Sequence, residues 1–303
     1  MSPPPRRGTL VAVFLVLSLI WGTTWAAIRV SLGGIPPFLG VSLRFGLAAA
    51  VLLGAAAILR VRLGRERRER WLWLSNGGLS FCGSYGIVYW AEQHIPSGLA
   101  AVLFATFPLL MIVLAHFFLP AERMSWRGVA GVAVGLTGMA TIYSEDLTRL
   151  GDQDVALASV VMLAAPAVSA VANLLVKRFG AGLHPLSLTA VPMALASIAM
   201  GGASAAFERG QPVHWEPVPL LAVAYLALVG SALTFTVYYW LLANATAVHA
   251  SLIAYTTPIV AVSIGLLFLD ERLTIRVGAG AALVLAGVVV ATWPSRKRTP
   301  ATT

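Results

Sequence analysis

The sequence predicts an all-α membrane protein: ten transmembrane helices forming two inverted five-helix repeats around a central cavity. Three observations predict it. The composition suits lipid, ten apolar runs each match the thickness of a bilayer, and the second half of the chain repeats the first.

Of 303 residues, 58% are hydrophobic and 11% charged, against roughly 25% charged in an ordinary soluble domain. The mean hydropathy is +0.84. A net charge of +9 raises the question of nucleic acid. The basic residues, however, cluster in short segments between apolar runs and form no basic face, so nucleic-acid binding is not expected. Cys82 is the single cysteine, which excludes an intrachain disulfide and reads as a small buried hydrophobe.

A span needs about 20 mostly apolar residues. Ten runs qualify: 9–31, 37–59, 71–92, 98–119, 126–144, 155–177, 185–207, 217–243, 249–269 and 274–293. The links are short and hide no soluble domain. The first run follows Arg6 and Arg7 as a signal peptide would, but it is too long for a signal-peptide core and lacks a clear cleavage site. It reads as a retained span.

With ten spans, alternate links face the same side. The side holding the N-terminus carries 15 of the 21 basic residues, including Arg60 to Arg70, Arg127, Lys177, Arg178 and Arg296 to Arg298. The other side carries Arg149, Arg209, Arg272 and Arg276, together with an acidic link bearing Glu145, Asp146, Asp152 and Asp154. Basic links stay in the cytoplasm, so both termini are expected there, with the chain multi-pass in the inner (plasma) membrane. The basic run "RLGRERRER" (62–70) is explained by topology control and contact with anionic lipid.

The two halves, 1–149 and 150–303, align almost end to end. An offset of 148 sets Trp21, Trp25, Arg29 and Pro37 on Ser169, Asn173, Lys177 and Pro185. An offset of 150 sets Tyr89-Trp90 on Tyr239-Trp240, and Thr106 and Pro108 on Thr256 and Pro258. One gap later, Glu122-Arg123 falls on Glu271-Arg272, and Gly131 and Gly138 on Gly280 and Gly287. Five spans per copy is an odd number, so the second copy enters the membrane inverted. Inverted repeats with interrupted helices at matched positions are a transporter architecture with a site near the midplane. Pro108 and Pro258 are such interruptions. Each is expected to kink a helix and free the carbonyl four residues back, on Phe104 and Ala254, with hydroxyls of Thr106, Thr256 and Thr257 close by. Packing alone is the competing explanation of such kinks.

The segments "IWGTTWAAIRVSLGGIPPFLGVSLRF" (20–45) and "YWAEQHIPSGLAAVLFATFPLL" (89–110), with the two Glu-Arg segments and their trailing glycines, resemble the drug/metabolite transporter superfamily. Within it, the chain resembles the EamA family of ten-span permeases. The resemblance covers nearly the whole chain. It implies a basket-like bundle in which spans 1–4 and 6–9 shape a central cavity and spans 5 and 10 lie outside. It also implies a bacterial inner-membrane exporter of amino acids or similar metabolites.

Polar groups within spans are costly and are functional candidates by default. Trp21 and Trp25 share a face of span 1 with Arg29, and their mates Ser169 and Asn173 share a face of span 6 with Lys177. Asn76, Ser80 and Ser84 share a face of span 3, which suits either helix packing or a hydrated cavity. Tyr238 on span 8, and Tyr255, Thr256 and Thr257 on span 9, complete the candidate substrate contacts with Thr106. Tyr89 and Trp90 read as an interfacial aromatic belt. Arg44 is expected to snorkel or to pair with Glu92 as a structural or gating ion pair.

No Asp or Glu lies centrally in any span. This argues against antiport of protons for cationic drugs, and favours neutral, zwitterionic or mildly anionic metabolites moving by alternating access. No metal-ligand cluster, GxSxG elbow or Walker A segment is present. The expected partners are therefore a small-molecule substrate and membrane lipid, with no cofactor and no obligate protein partner. The alternatives are export of uncharged xenobiotics and, from another class, a membrane-embedded enzyme.

Overall fold

The structure is a computed structural model. It describes residues 5–95, 97–122, 124–142, 144, 153–257, 260 and 275–292. All regular elements among the described residues are helical. In chain order they are α1 (Arg7–Leu32), α2 (Pro37–Ile58), α3 (Arg67–Asn76), a π-helical segment (Gly77–Ser84), α4 (Tyr85–Ala91), α5 (Ser97–Phe104), α6 (Phe107–Phe118) and α7 (Trp126–Ile142). The second half has α8 (Gln153–Met162), α9 (Ala164–Phe179), α10 (Pro185–Phe207), α11 (Pro217–Ala227), a second π-helical segment (Leu228–Leu233), α12 (Thr234–Asn244), α13 (Ala247–Ser251) and α14 (Ile275–Thr292).

Among the described residues, six stretches are long and apolar enough to cross a membrane: Arg7–Leu32, Pro37–Ile58, Leu99–Phe118, Asp154–Phe179, Pro185–Phe207 and Pro217–Asn244. Large apolar side chains such as Leu15, Phe117 and Ile198 are exposed on their outer faces, as contact with lipid tails requires. The α3–π–α4 rod stands apart from the six because it opens on Arg67 to Arg70 and carries Asn76, Ser80 and Ser84. Most of the expected ninth span, Pro258 included, lies outside the described residues.

Two antiparallel helix pairs brace the bundle, α2 with α10 and α7 with α14. Small residues allow each contact. A Cβ at Gly131 would sit 2.5 Å from the Gly287 carbonyl oxygen, and one at Gly138 would sit 2.6 Å from that of Gly280. No side chain fits there, so the backbones themselves are in contact. On α2 and α10, Ser42 Oγ donates to the Ser197 carbonyl (2.9 Å) and Ser197 Oγ to the Ser42 carbonyl (2.8 Å). The start of α2 is capped from α10: the Glu208 carboxylate accepts from the N–H groups of Phe38 (2.7 Å) and Leu39 (3.0 Å), donors that a helix N-terminus leaves without internal partners.

The expected kink at Pro108 takes another form. The helix ends at Phe104 and restarts at Phe107, so Pro108 stands in the first turn of α6, where no N–H is needed. Thr106 Oγ1 donates to the Leu103 carbonyl (2.8 Å), not to that of Phe104. Its repeat mate Thr256 likewise donates to Ile253 (2.9 Å), while Thr257 reaches the Ala254 carbonyl (3.2 Å).

The glycine contacts set a direct expectation. Gly131→Ala should destabilise the folded protein by about 1–3 kcal/mol through overpacking. Gly54→Ala, where a Cβ meets nothing within 4 Å, should be neutral or stabilising by roughly 0.5–1 kcal/mol. Thermal unfolding of both variants in detergent checks this; equal effects would refute the close-contact account.

Candidate functional site: an aromatic cavity between the halves

The centre of the bundle holds a cavity of about 110 Å³, against the roughly 10–15 Å³ that one water needs. From the first half, α1 contributes Trp21, Thr24, Trp25 and Ile28, and the α3–π–α4 rod contributes Ser80, Ser84, Tyr85 and Val88. Phe104 and Phe107 line it on either side of the helix break. From the second half come Ser169 and Asn173 on α9, Phe235 and Tyr238 on α12, and Ser251, Ile253, Ala254 and Thr257 further along the chain. No charged side chain lines it among the described residues.

The wall is set by irregular helix geometry. A π turn widens the helix and takes carbonyls off the regular ladder. In the second π segment the Gly230 carbonyl accepts from Trp21 Nε1 (3.3 Å) and Arg44 Nη2 (3.2 Å). Arg44 is fully buried. Its Nε donates to Ser231 Oγ (2.7 Å), its Nη1 to the Tyr89 hydroxyl (3.4 Å), and its guanidinium lies 4.7 Å from the centre of the Tyr85 ring. One cation thus holds the π turn, Tyr85 and, through the shared carbonyl, Trp21. Trp21 in turn packs against Phe235 and Tyr238, each at 5.2 Å between ring centres.

Of the candidate substrate contacts, Trp21, Trp25, Ser80, Ser169, Asn173, Tyr238 and Thr257 stand together around this cavity. Asn76, Thr106, Tyr255 and Thr256 do not. Asn76 bridges α10 and α12: its Nδ2 donates to the Leu188 carbonyl (3.0 Å), and its Oδ1 accepts from the Tyr239 hydroxyl (3.0 Å). Leu188 needs that donor because Pro192, four residues on and inside α10, has no N–H. Tyr255 is buried against α7, its ring over Gly135 and its hydroxyl donating to the Val132 carbonyl (2.9 Å). Thr256 bonds Ser18 Oγ (2.5 Å).

The expected Arg44–Glu92 ion pair is not made: Arg44 donates instead to Ser231, Gly230 and Tyr89. Glu92 is buried instead, with Oε2 accepting from Ser97 Oγ (3.1 Å). Tyr89 is correspondingly a core residue, not part of an interfacial belt. The basic run also makes a protein contact: Arg68 Nη2 donates to the Ala181 carbonyl (3.1 Å).

Two cations stand at opposite ends of the bundle. The end of α1 meets the start of α11, where His214 N–H donates to the Gly34 carbonyl (2.8 Å). There Arg29 Nη1 donates to the Glu92 carbonyl at the end of α4. At the far end of α11–α12, Lys177 Nζ donates to the carbonyls of Leu242 (2.7 Å) and Ala245 (2.5 Å). Arg29 and Lys177 are repeat mates at an offset of 148, and Glu92 and Leu242 at 150. Lys177 also lies 3.5 Å from Glu122 Oε1, whose other oxygen accepts from Ala247 N–H (2.7 Å).

The model of the EamA-like transporter family matches this chain twice, over residues 8–144 and 156–293. The chain belongs to that family. It is 27% identical over 282 residues to the uncharacterized transporter YoaV of Bacillus subtilis, covering 93% of this chain and 96% of that one. A probable terminal-alkyne amino-acid exporter of Streptantibioticus cattleyicolor is 30% identical over 287 residues, covering 91% of each. The uncharacterized inner membrane transporter YedA of Escherichia coli K12 is 29% identical over 265 residues, covering 86% of this chain and 82% of that one. A solved crystal structure with 21% identity superposes with a TM-score of 0.79, covering 95% of this chain and 97% of that one. This EamA protein is therefore a multi-pass membrane transporter of the drug/metabolite type.

The Asn76 bridge is testable by a double-mutant cycle. Asn76→Ala should destabilise the EamA protein by about 1–3 kcal/mol by leaving a buried carbonyl and hydroxyl unpaired. In a Pro192→Ala background the penalty should shrink, because an alanine at that position supplies the missing N–H. Additive effects in thermal unfolding would contradict the assignment.

Proposed function

We propose that the protein exports small metabolites, amino acids first among them, by alternating access through the central cavity. The observation that carries this reading is the cavity itself. It lies between the two halves, beside helix irregularities at repeat-equivalent positions, and offers aromatic, hydroxyl and amide groups without fixed charge. The two π segments, Gly77–Ser84 and Leu228–Leu233, fall on each other at the 150 offset.

The proposed architecture is ten spans in two inverted five-helix copies, 1–149 and 150–303, with both termini cytoplasmic in the inner membrane. Reciprocity supports it. Gly131 meets Gly287, the mate of Gly138, while Gly138 meets Gly280, the mate of Gly131. A two-fold relation demands that exchange of partners, and the antiparallel sense of both bracing pairs suits an axis in the membrane plane.

In this reading Lys177 and Arg29 belong to two gates. Lys177 stands one turn beyond Asn173 and also lines a second cavity of about 190 Å³ with Gly180 and Leu242. Lys177 borders that vestibule and lies 3.5 Å from Glu122 Oε1, and we take this pair as the gate between the vestibule and the central cavity. With basic links cytoplasmic, the vestibule faces the cytoplasm. The relative named as an amino-acid exporter supports the substrate class. The charge-free aromatic lining also favours the second reading, export of uncharged xenobiotics.

Counterflow in proteoliposomes with labelled amino acids tests the substrate class: exchange is expected, and exchange of a lipophilic drug alone would sink it. The gate has its own test. Lys177→Glu should lower the exchange rate at least several-fold, and the swap Lys177→Glu with Glu122→Lys should recover most of it. A swap no better than the single variant would contradict a gating pair.

A further inference from the structure

We propose that Asn173 selects the substrate, with its side-chain oxygen accepting an N–H from a free amino group on the molecule carried. The inference rests on the transporter reading above and adds the chemical group the cavity recognises. Asn173 is 6% exposed and lines the cavity. Its Nδ2 donates to the Ser169 carbonyl (2.8 Å). A backbone carbonyl can only accept, so this bond fixes which end of the amide is oxygen. That oxygen, Oδ1, has no hydrogen-bond partner among the described residues. A buried acceptor left unpaired is unfavourable and is rare in folded proteins. Among the described residues two other buried polar atoms share this state, Glu92 Oε1 and Thr234 Oγ1, but neither residue lines the cavity. Among the described residues, Asn173 Oδ1 is thus an unused acceptor carried by a residue of the cavity wall.

Its surroundings narrow the ligand. One turn earlier on α9, Ser169 Oγ donates to Ser84 Oγ (3.0 Å), so Ser84 keeps its own O–H to donate. The cavity lining therefore carries both an acceptor and a donor. They match a molecule carrying an amino group next to a carboxylate or carbonyl. The lining also includes Trp21, Trp25 and Tyr238, aromatic rings of the kind that attract an ammonium and accommodate an apolar side chain. Charge points the same way. No carboxylate lines the cavity among the described residues to neutralise a bare cation, and the ammonium of Lys177 lies one turn beyond Asn173. A zwitterion fits that field better than an amine lacking a carboxylate.

The test compares molecules that differ only in the amino group: L-leucine with 4-methylpentanoate, and L-phenylalanine with 3-phenylpropanoate. Equilibrium binding to the purified full-length protein in detergent and counterflow in proteoliposomes are both measured. The wild type should bind each amino acid at least about tenfold more tightly than its partner, the scale of one charge-assisted hydrogen bond. Asn173→Leu should abolish that preference by weakening only the amino compound. Asn173→Asp, which keeps the acceptor, should retain it. Equal binding of the partners by the wild type, an unchanged preference in Asn173→Leu, or no binding of either amino acid would overturn the proposal. Amino-selective binding without counterflow would instead refute transport while leaving this assignment standing. Counterflow blind to the amino group would do the reverse.

Discussion

A backbone carbonyl that loses its helical N–H inside hydrocarbon has no water to turn to, so the protein must supply another donor. Much of this structure follows from that constraint. Pro192 strips the donor from Leu188, and Asn76 replaces it. In the second π turn the Gly230 carbonyl accepts from both Trp21 and Arg44. The ends of α4 and α12 expose carbonyls that Arg29 and Lys177 cover. The polar side chains that look so costly in the apolar runs are mostly there to complete the backbone.

The same repairs build the cavity. A regular helix packs its neighbours closely and leaves no room. Widened turns and a broken helix hold neighbours apart, and aromatic residues fill the margin without closing it. Arg44 is central to this because a guanidinium carries several donors in a rigid fork. One side chain can therefore pin a π turn, a serine and a tyrosine at once, while presenting none of its charge to the cavity. Lysine, with a single charged centre, could not satisfy the same set.

Much of the fold is legible in the sequence because membrane crossing leaves a composition signal and duplication leaves a register. The apolar runs and the shared faces of Trp21, Trp25, Ser169 and Asn173 follow from periodicity and offset, and the family from the resemblance of segments 20–45 and 89–110. What the sequence hides is which carbonyls need repair. A π turn has no residue signature beyond small residues, so charge alone pairs Arg44 with Glu92, and the structure does not. Asn76 shares a helix face with Ser80, yet it turns to Leu188, because the effect of Pro192 is felt on a distant helix. Tyr255 stands one residue from the threonines that flank Pro258, but the absence of a side chain at Gly135 opens a pocket for its ring against α7. Such contacts depend on which helices meet, and helical periodicity within one segment does not report that.

The central claim is that the cavity between the halves is the path, reached from each side in turn. Thiol accessibility tests it most directly. Ala254→Cys, a cavity position, is placed in a Cys82→Ala background and labelled with a membrane-impermeant reagent in right-side-out and inverted vesicles. The account predicts labelling from both sides, and substrate that slows it. Breaking the Lys177–Glu122 pair should raise labelling from that end and lower it from the other. Labelling from one side only, unaltered by substrate or by loss of the pair, would contradict it.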